Sequence, residues 1–291
     1  MTGVVIPTSL SWIGRTPEGQ AWLDRLPVAL AEAGHRWSLE LGDPFADAFE
    51  SLVVPARRPD GTPVVVKLSY RGRENEHEAT ALRTWAGDGA VELLDEDQVT
   101  GTLLLEQAQP GEPLSDSPDL VAALDVFVDL LPRLWRPAGA PFRTIVDEAA
   151  LWSGHLVDEW EQARRPFERE LLDVALAALH ELPSTQGDLV LVHQDLHAGN
   201  VLRATRQPWL AIDPKPLLAE RAFALAPVVR GPELGHSRDS VLRRLDTLST
   251  ALGLDRDRAR RWTIAQTIAW CFTDDRALPT HVDVARWLSE A

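Results

Sequence analysis

Two stretches of this chain hold residue types that do chemistry at short spacing. One reads Val192-His193-Gln194-Asp195-Leu196-His197-Ala198-Gly199-Asn200, and the other, a little further on, reads Ile212-Asp213-Pro214. A polar cluster this dense, framed by apolar residues, must satisfy its own hydrogen bonds or do work. Phosphoryl transfer asks for a carboxylate to take the proton of an attacking hydroxyl. It also needs an amide oxygen and a second carboxylate to hold Mg²⁺, and a lysine to steady the phosphates of a nucleotide. The chain offers all four. Asp195 is the candidate base, Asn200 and Asp213 are the candidate metal ligands, and Lys67, closing the apolar run Val64-Val65-Val66, is the candidate phosphate lysine.

Lys67 and Lys215 are the only lysines among 29 basic residues. A compact ammonium on a flexible stem does not substitute for a planar guanidinium at a phosphate site, so a lysine that persists in an arginine-rich chain is a candidate for function. Two readings stand for Lys215, in Asp213-Pro214-Lys215-Pro216: a phosphate or substrate contact, or an ion pair with a surface acid. Helix spacing supplies a partner for Lys67. In the segment 74–86, Ala81, Leu82 and Trp85 fall three, four and seven positions after Glu78, which places Glu78 on the buried stripe. A carboxylate there demands a cation. His193 and His197 read as struts of the loop around Asp195 or, with Asp195, as a His-x-Asp-x-His metal set. The metal set leaves Lys67, Glu78 and Asn200 without a role.

These residues need elements to position them. Apolar periodicity predicts an opening helix over 20–34, then strands at 39–41, 52–56 and 64–68, the last two joined by a Pro-Asp-Gly turn. The helix 74–86 and a hairpin of 91–94 with 103–106 complete a first lobe. At Gln109-Pro110-Gly111-Glu112-Pro113 the composition breaks and the period changes from 2 to 3.6, which sets the expected division at 1–108 and 109–291. The second lobe reads as helices over 118–135, 144–163, 167–182, 237–253, 256–272 and 281–289. A β island interrupts them at 190–192, 201–202 and 209–212. The fold class is α+β in two lobes.

The chain has 291 residues, a net charge of −15 and one cysteine. The acidic balance opposes binding to nucleic acid or to an anionic membrane and favours a cationic small partner. No apolar run reaches the ~18 residues of a membrane span, and a cytoplasmic address is expected. A lone Cys271, in an apolar helical segment, makes no intramolecular disulfide and reads as core. Trp152, Trp160, Trp262 and Trp270 also fall on helical apolar stripes and read as core. Nothing in the sequence chooses between monomer and dimer.

Taken together, Val64-Val65-Val66-Lys67, Glu78, His193-x-Asp195-x-x-x-x-Asn200 and Asp213 resemble the protein-kinase-like fold of the aminoglycoside phosphotransferases. HQDLHAGNVL, WLAIDPKP, HEATALRTWAGDGAVELLDED and LLLEQAQPGEPL are similar to the streptomycin and hydroxyurea phosphotransferase branch, over roughly residues 37–270. The resemblance implies transfer of a phosphoryl group from ATP, with Mg²⁺, to a hydroxyl of a small antibiotic, hence resistance by inactivation. It implies Asp195 as base, Asn200 and Asp213 on the metal, and Lys67 paired with Glu78. It further implies adenine against the backbone of Glu106–Ala108, with Ser51 closing the nucleotide-covering segment 42–51.

The chain departs from the family pattern at several positions. Gln194 stands where glycine is usual and adds bulk beside the base, Ala198 stands where proline is usual, and the segment 42–51 holds a single glycine and three acids. Ala224 stands where an acid would brace the catalytic loop, implying a loop braced differently. Asp158, Glu159, Asp274 and Asp275 are candidate receptors for a cationic acceptor. The expected activity is a small-molecule kinase acting on a streptomycin-like aminocyclitol or on hydroxyurea. The alternatives are a kinase of a sugar, amino sugar or natural product, and a catalytically silent nucleotide-binding module.

Overall fold

Along residues 63–69, Val64, Val66 and Leu68 alternate with Val65 and Lys67, and in a strand that alternation sends the two sets to opposite faces of the sheet. In the computed structural model, which describes residues 5–46, 48–273 and 276–291, the first set joins an apolar core and the second does not. The chain divides into two compact units, one ending at Gly111 and the other spanning Glu112–Ala291.

The first unit is built on strands β1 (Glu40–Leu41), β2 (Ser51–Arg57), β3 (Pro63–Ser69), β4 (Leu93–Asp97) and β5 (Thr102–Glu106). They form one antiparallel sheet in the order β1-β2-β3-β5-β4. Helix α1 (Pro17–Arg36) starts with Thr16 accepting from the Gly19 amide and with proline in its first turn, both N-terminal signals. Its Leu23, Leu26, Leu30 and Ala33 pack with Leu52, Val54, Val64 and Val66 on one face of the sheet. Each such fully buried aliphatic side chain contributes about 1.5–3 kcal/mol.

Helix α2 (Glu78–Trp85) is shorter than the expected 74–86. Asn75 explains the difference: its side chain accepts from the Gly72 amide and donates to the Tyr70 carbonyl, so the preceding residues are held as a turn. The second hairpin also differs, because β4 runs on to Asp97 and Asp97 then caps the Val99 amide in a tight turn.

The short 3-10 helix Thr8–Arg15 has no apolar period long enough to be anticipated. It holds the segment between β1 and β2. Ser9 Oγ donates to the carbonyls of Ala46 (2.9 Å) and Ala48 (2.7 Å), and Trp12 Nε1 donates to the Phe49 carbonyl at 3.0 Å. The Trp12 and Phe49 rings stack at 5.1 Å.

The second unit carries α3 (Leu120–Leu134), α4 (Ile145–Gln162), α5 (Arg169–Glu181), α6 (Ala226–Arg230), α7 (Arg238–Ala251), α8 (Arg256–Ala269) and α9 (Pro279–Ser289). Strands β6 (Val190–Val192), β7 (Val201–Arg203), β8 (Trp209–Ala211) and β9 (Leu217–Ala219) pair as β6 with β9 and β7 with β8, both antiparallel. The β7–β8 hairpin matches the sequence reading. Strand β9, helix α6 and the two-residue strands β10 (Phe272–Thr273) and β11 (Arg276–Ala277) were not anticipated, being too short to show a period. Among the described residues no helix is long and apolar enough to cross a membrane.

Candidate active site

In the first unit β3 turns Lys67 away from the α1 core, and the first turn of α2 presents Glu78 to it. Lys67 Nζ and Glu78 Oε1 meet at 2.5 Å, with Lys67 4% and Glu78 3% exposed. Ala81, Leu82 and Trp85 bury the stripe to which Glu78 belongs, as the helix spacing requires. Ser51 begins β2 and spends its hydroxyl on Ser69 across the ladder, at 3.0 Å. The β3–β5 ladder ends at the pair Val64 and Glu106, so the backbone of Gln107 and Ala108 runs past it. Gly111 closes this stretch at φ +84°, where an added Cβ would stand 2.9 Å from the Ala108 carbonyl.

In the second unit β6 delivers the chain into the loop His193–Asn200. His193 Nε2 lies 2.8 Å from the Ile212 carbonyl, and the Lys215 amide donates to the His193 carbonyl at 3.0 Å, so the loop is stitched to the segment after β8. The Asp195 carbonyl accepts from the His197 amide and, at 3.0 Å, from Asn200 Nδ2. The Ile212 amide donates to the Asn200 carbonyl at 2.9 Å, which brings Asp213 beside Asn200. Gln194 and Asp213 both adopt left-handed backbone, at φ 63° and 55°, which costs a residue with a side chain about 1–2 kcal/mol. Both histidines act as struts, since His197 Nδ1 lies 3.0 Å from Glu233 Oε1 and 3.2 Å from the Gly199 amide. Among the described residues no three His, Cys, Asp or Glu side chains converge as a metal cage.

Two cations flank Asp195. Lys215 Nζ is 3.9 Å from Oδ2 and Arg230 Nη2 is 3.9 Å from Oδ1. Both lie over the ring of Trp270, at 5.6 and 5.0 Å from its centroid. Burial pushes the Asp195 carboxyl above the usual carboxylate range, and Asp213 adds to that; Lys215, His197 and Arg230 oppose it. Burial works against the charge on His197, yet Glu233 and Asp195 outweigh it and the imidazole is raised.

Lys215 is therefore an ion-pair partner of the candidate base. Trp270 is not core: it caps the C-terminus of α8 half-buried and carries the two cations. Trp152, Trp160, Trp262 and Cys271 are buried as expected. Asp158 is exposed; burial, with a smaller contribution from the charge of Glu159, pushes the Cys271 thiol up to about 12. Asp274 and Asp275 lie outside the described residues.

Four residues escaped the sequence reading. Arg230 ends the apolar run Ala222–Val229, and a lone charge closing such a run was the available signal. Gln266, wholly buried in α8, donates from Nε2 to the Gln194 carbonyl at 3.1 Å and accepts from Arg230 Nη1 at 3.3 Å. Glu233 pairs with His197. Arg244, 1% exposed, donates to the carbonyls of Val229, Leu234 and Gly235 and so knots the turn that carries Arg230 and Glu233.

Asn200 and Asp213 present oxygen donors alone, the hard ligands that Mg²⁺ takes in small number, leaving its other positions to water and phosphate. Because Asn200 Nδ2 is committed to the Asp195 carbonyl, the amide oxygen is the atom left for a metal. The pair fits Mg²⁺.

The model of a family described as aminoglycoside/hydroxyurea antibiotic resistance kinase matches residues 36–274. A streptomycin 6-kinase of Streptomyces glaucescens is 40% identical over 286 residues, covering 93% of this chain and 92% of that protein. A hydroxyurea phosphotransferase of Kitasatospora aureofaciens is also 40% identical, over 87% of this chain and 74% of its own length. Among solved structures, an aminoglycoside phosphotransferase in ternary complex with ADP and hygromycin B aligns with a TM-score of 0.62 and 15% identity, over 89% of this chain and 95% of that one. A choline kinase from Streptococcus pneumoniae aligns with a TM-score of 0.62 and 12% identity, over 91% and 98%. The two structural likenesses speak to the fold.

Proposed function

The chain belongs to the aminoglycoside/hydroxyurea antibiotic resistance kinase family, and on that premise we propose that it transfers the γ-phosphoryl group of ATP to a hydroxyl of streptomycin or a closely related aminocyclitol, or of hydroxyurea. The observation that carries the assignment of roles is the Asp195 loop. One side chain, Asn200, ties its amide nitrogen to the Asp195 carbonyl and keeps its oxygen for a metal, so base and ligand are set by a single hydrogen bond.

Mg²⁺ held by Asn200 and Asp213 would neutralise charge on the nucleotide phosphates. Asp195 orients the acceptor hydroxyl and takes its proton, and burial above the usual carboxylate range makes it a better proton acceptor than a solvated aspartate. Lys215 and Arg230 favour the ionised form of that carboxylate against burial. Lys67, aimed by Glu78, is the phosphate-steadying ammonium of the first unit. The backbone of Glu106–Ala108 and the segment ending at Ser51 are assigned to the nucleotide.

The purified protein incubated with ATP and Mg²⁺, and with streptomycin or hydroxyurea, tests this by mass spectrometry of the products. A singly phosphorylated product from one acceptor, absent with Asp195→Asn, is the expected result. Turnover retained in Asp195→Asn would remove the assigned base. ATP binding without any phosphorylated product would replace the kinase by a silent nucleotide-binding module.

A further inference from the structure

We propose that Gln266 is a positioning residue for Asp195: its one side-chain amide holds both the backbone carbonyl immediately before the base and the guanidinium beside it. The role of Asp195 as base is taken from the functional reading above. Gln266 sits in the last turn of α8 among Ile264, Ala265 and Ile268, all completely buried. An apolar side chain would fill that place at no desolvation cost, so a primary amide there has to be used at both ends. It is. Nε2 donates to the Gln194 carbonyl and Oε1 accepts from Arg230 Nη1, whose sister nitrogen Nη2 stands 3.9 Å from Asp195 Oδ1.

Gln194 is the residue most in need of such a hold. Its backbone is left-handed at φ 63°, and among the described residues neither polar atom of its buried side chain has a hydrogen-bond partner. Left-handed backbone at a residue with a Cβ persists only when the surroundings impose it. The carbonyl is the polar handle that Gln194 offers for that purpose, and Gln266 grips it. Ala224, buried at the 3-10 turn Phe223–Leu225, has no polar side-chain atom to contribute. Arg230 forms the second arm. Its guanidinium lies over Trp270, is hydrogen-bonded by Gln266, and stands 3.9 Å from the carboxylate. A rotation of the Gln266 amide would therefore displace the Asp195 main chain and its counter-ion together.

The test uses full-length protein and variants Gln266→Met, Gln266→Glu and Arg230→Lys. In Gln266→Met, kcat for MgATP-dependent phosphorylation of streptomycin or hydroxyurea should fall about 10- to 100-fold, with KM for MgATP unchanged, the signature of a misplaced base. Gln266→Glu keeps the acceptor for Arg230 and loses the donor to Gln194, so its kcat should lie between the two. If Gln266→Met does not fold, Gln266→Glu and Arg230→Lys carry the comparison. Hydrogen exchange followed by mass spectrometry supplies a readout independent of turnover. Peptides covering 193–200 should exchange faster in the variants while those covering 51–69 remain as in the wild type. Unchanged kcat, or exchange that rises uniformly along the chain, would overturn the proposal. If the wild type phosphorylates neither compound, the functional reading fails, and exchange in 193–200 still decides whether Gln266 holds the Asp195 loop.

Discussion

Lys67 of β3 and Glu78 of α2 form a buried ion pair at 2.5 Å. Glu78→Ala removes a buried counter-charge of Lys67 and is expected to lower stability by about 3–5 kcal/mol. The double change Lys67→Met with Glu78→Leu should restore most of that loss in urea denaturation and still leave no kinase activity. Recovery of activity with stability would remove Lys67 from the phosphate role.

Arg244 satisfies three backbone carbonyls with one buried guanidinium, whose value burial lowers to about 10, with Glu233 opposing. Arg244→Met leaves those carbonyls without donors, at about 1–3 kcal/mol each. The expected result is a fall in the urea midpoint together with a fall in kcat, because Arg230 and Glu233 lie in the same knot. A loss of stability with kcat intact would show that the knot does not communicate with Asp195.

Acid should weaken the fold through His281. Burial, with the charges of Arg230 and His236, pushes His281 down to about 4. The unfolded chain binds its proton near pH 6.5 and the folded chain does not, so the His281 contribution to stability is level above 6.5 and declines between 6.5 and 4, by about 1.4 kcal/mol per pH unit at the steepest. His281→Phe should flatten that decline in denaturant titrations across the window. An unaltered slope would mean that another group is responsible.

Metal dependence should report on two side chains. Chelation of Mg²⁺ by EDTA is expected to abolish turnover reversibly. Asn200→Ala should raise the Mg²⁺ concentration for half-maximal rate about 10- to 100-fold. An Asn200→Ala enzyme that saturates at the wild-type Mg²⁺ concentration would break the link between that amide and the metal.

Long periodic elements were legible in the sequence, and so was chemistry that depends on residue type. The stripe in 74–86 located Glu78 as the partner of Lys67, because a carboxylate on an apolar face has few physical solutions. The longer helices of the second unit, all but α6, and the β7–β8 hairpin were legible from their periodicity. Arg230 and Gln266 were not. Each acts through a contact distant in the chain, Gln266 with Gln194 and Arg230 with Asp195, and no local pattern encodes such a contact. Trp270 was misread because periodicity assigns a face to a side chain and says nothing of a helix end, where that face is half-open and two cations have settled on the ring.

The hold of Ser9 and Trp12 on Ala46, Ala48 and Phe49 means that the segment between β1 and β2 takes its path from residues outside itself. Its poverty in glycine then stops being a handicap, since a path imposed by external anchors asks for no backbone freedom of its own. The two anchors, and Phe49 stacked on one of them, are then the side chains that cannot drift. For anyone handling the protein, a tag fused close to Thr8 or a start site placed beyond Trp12 is an edit of the segment before Ser51, made at a distance in sequence.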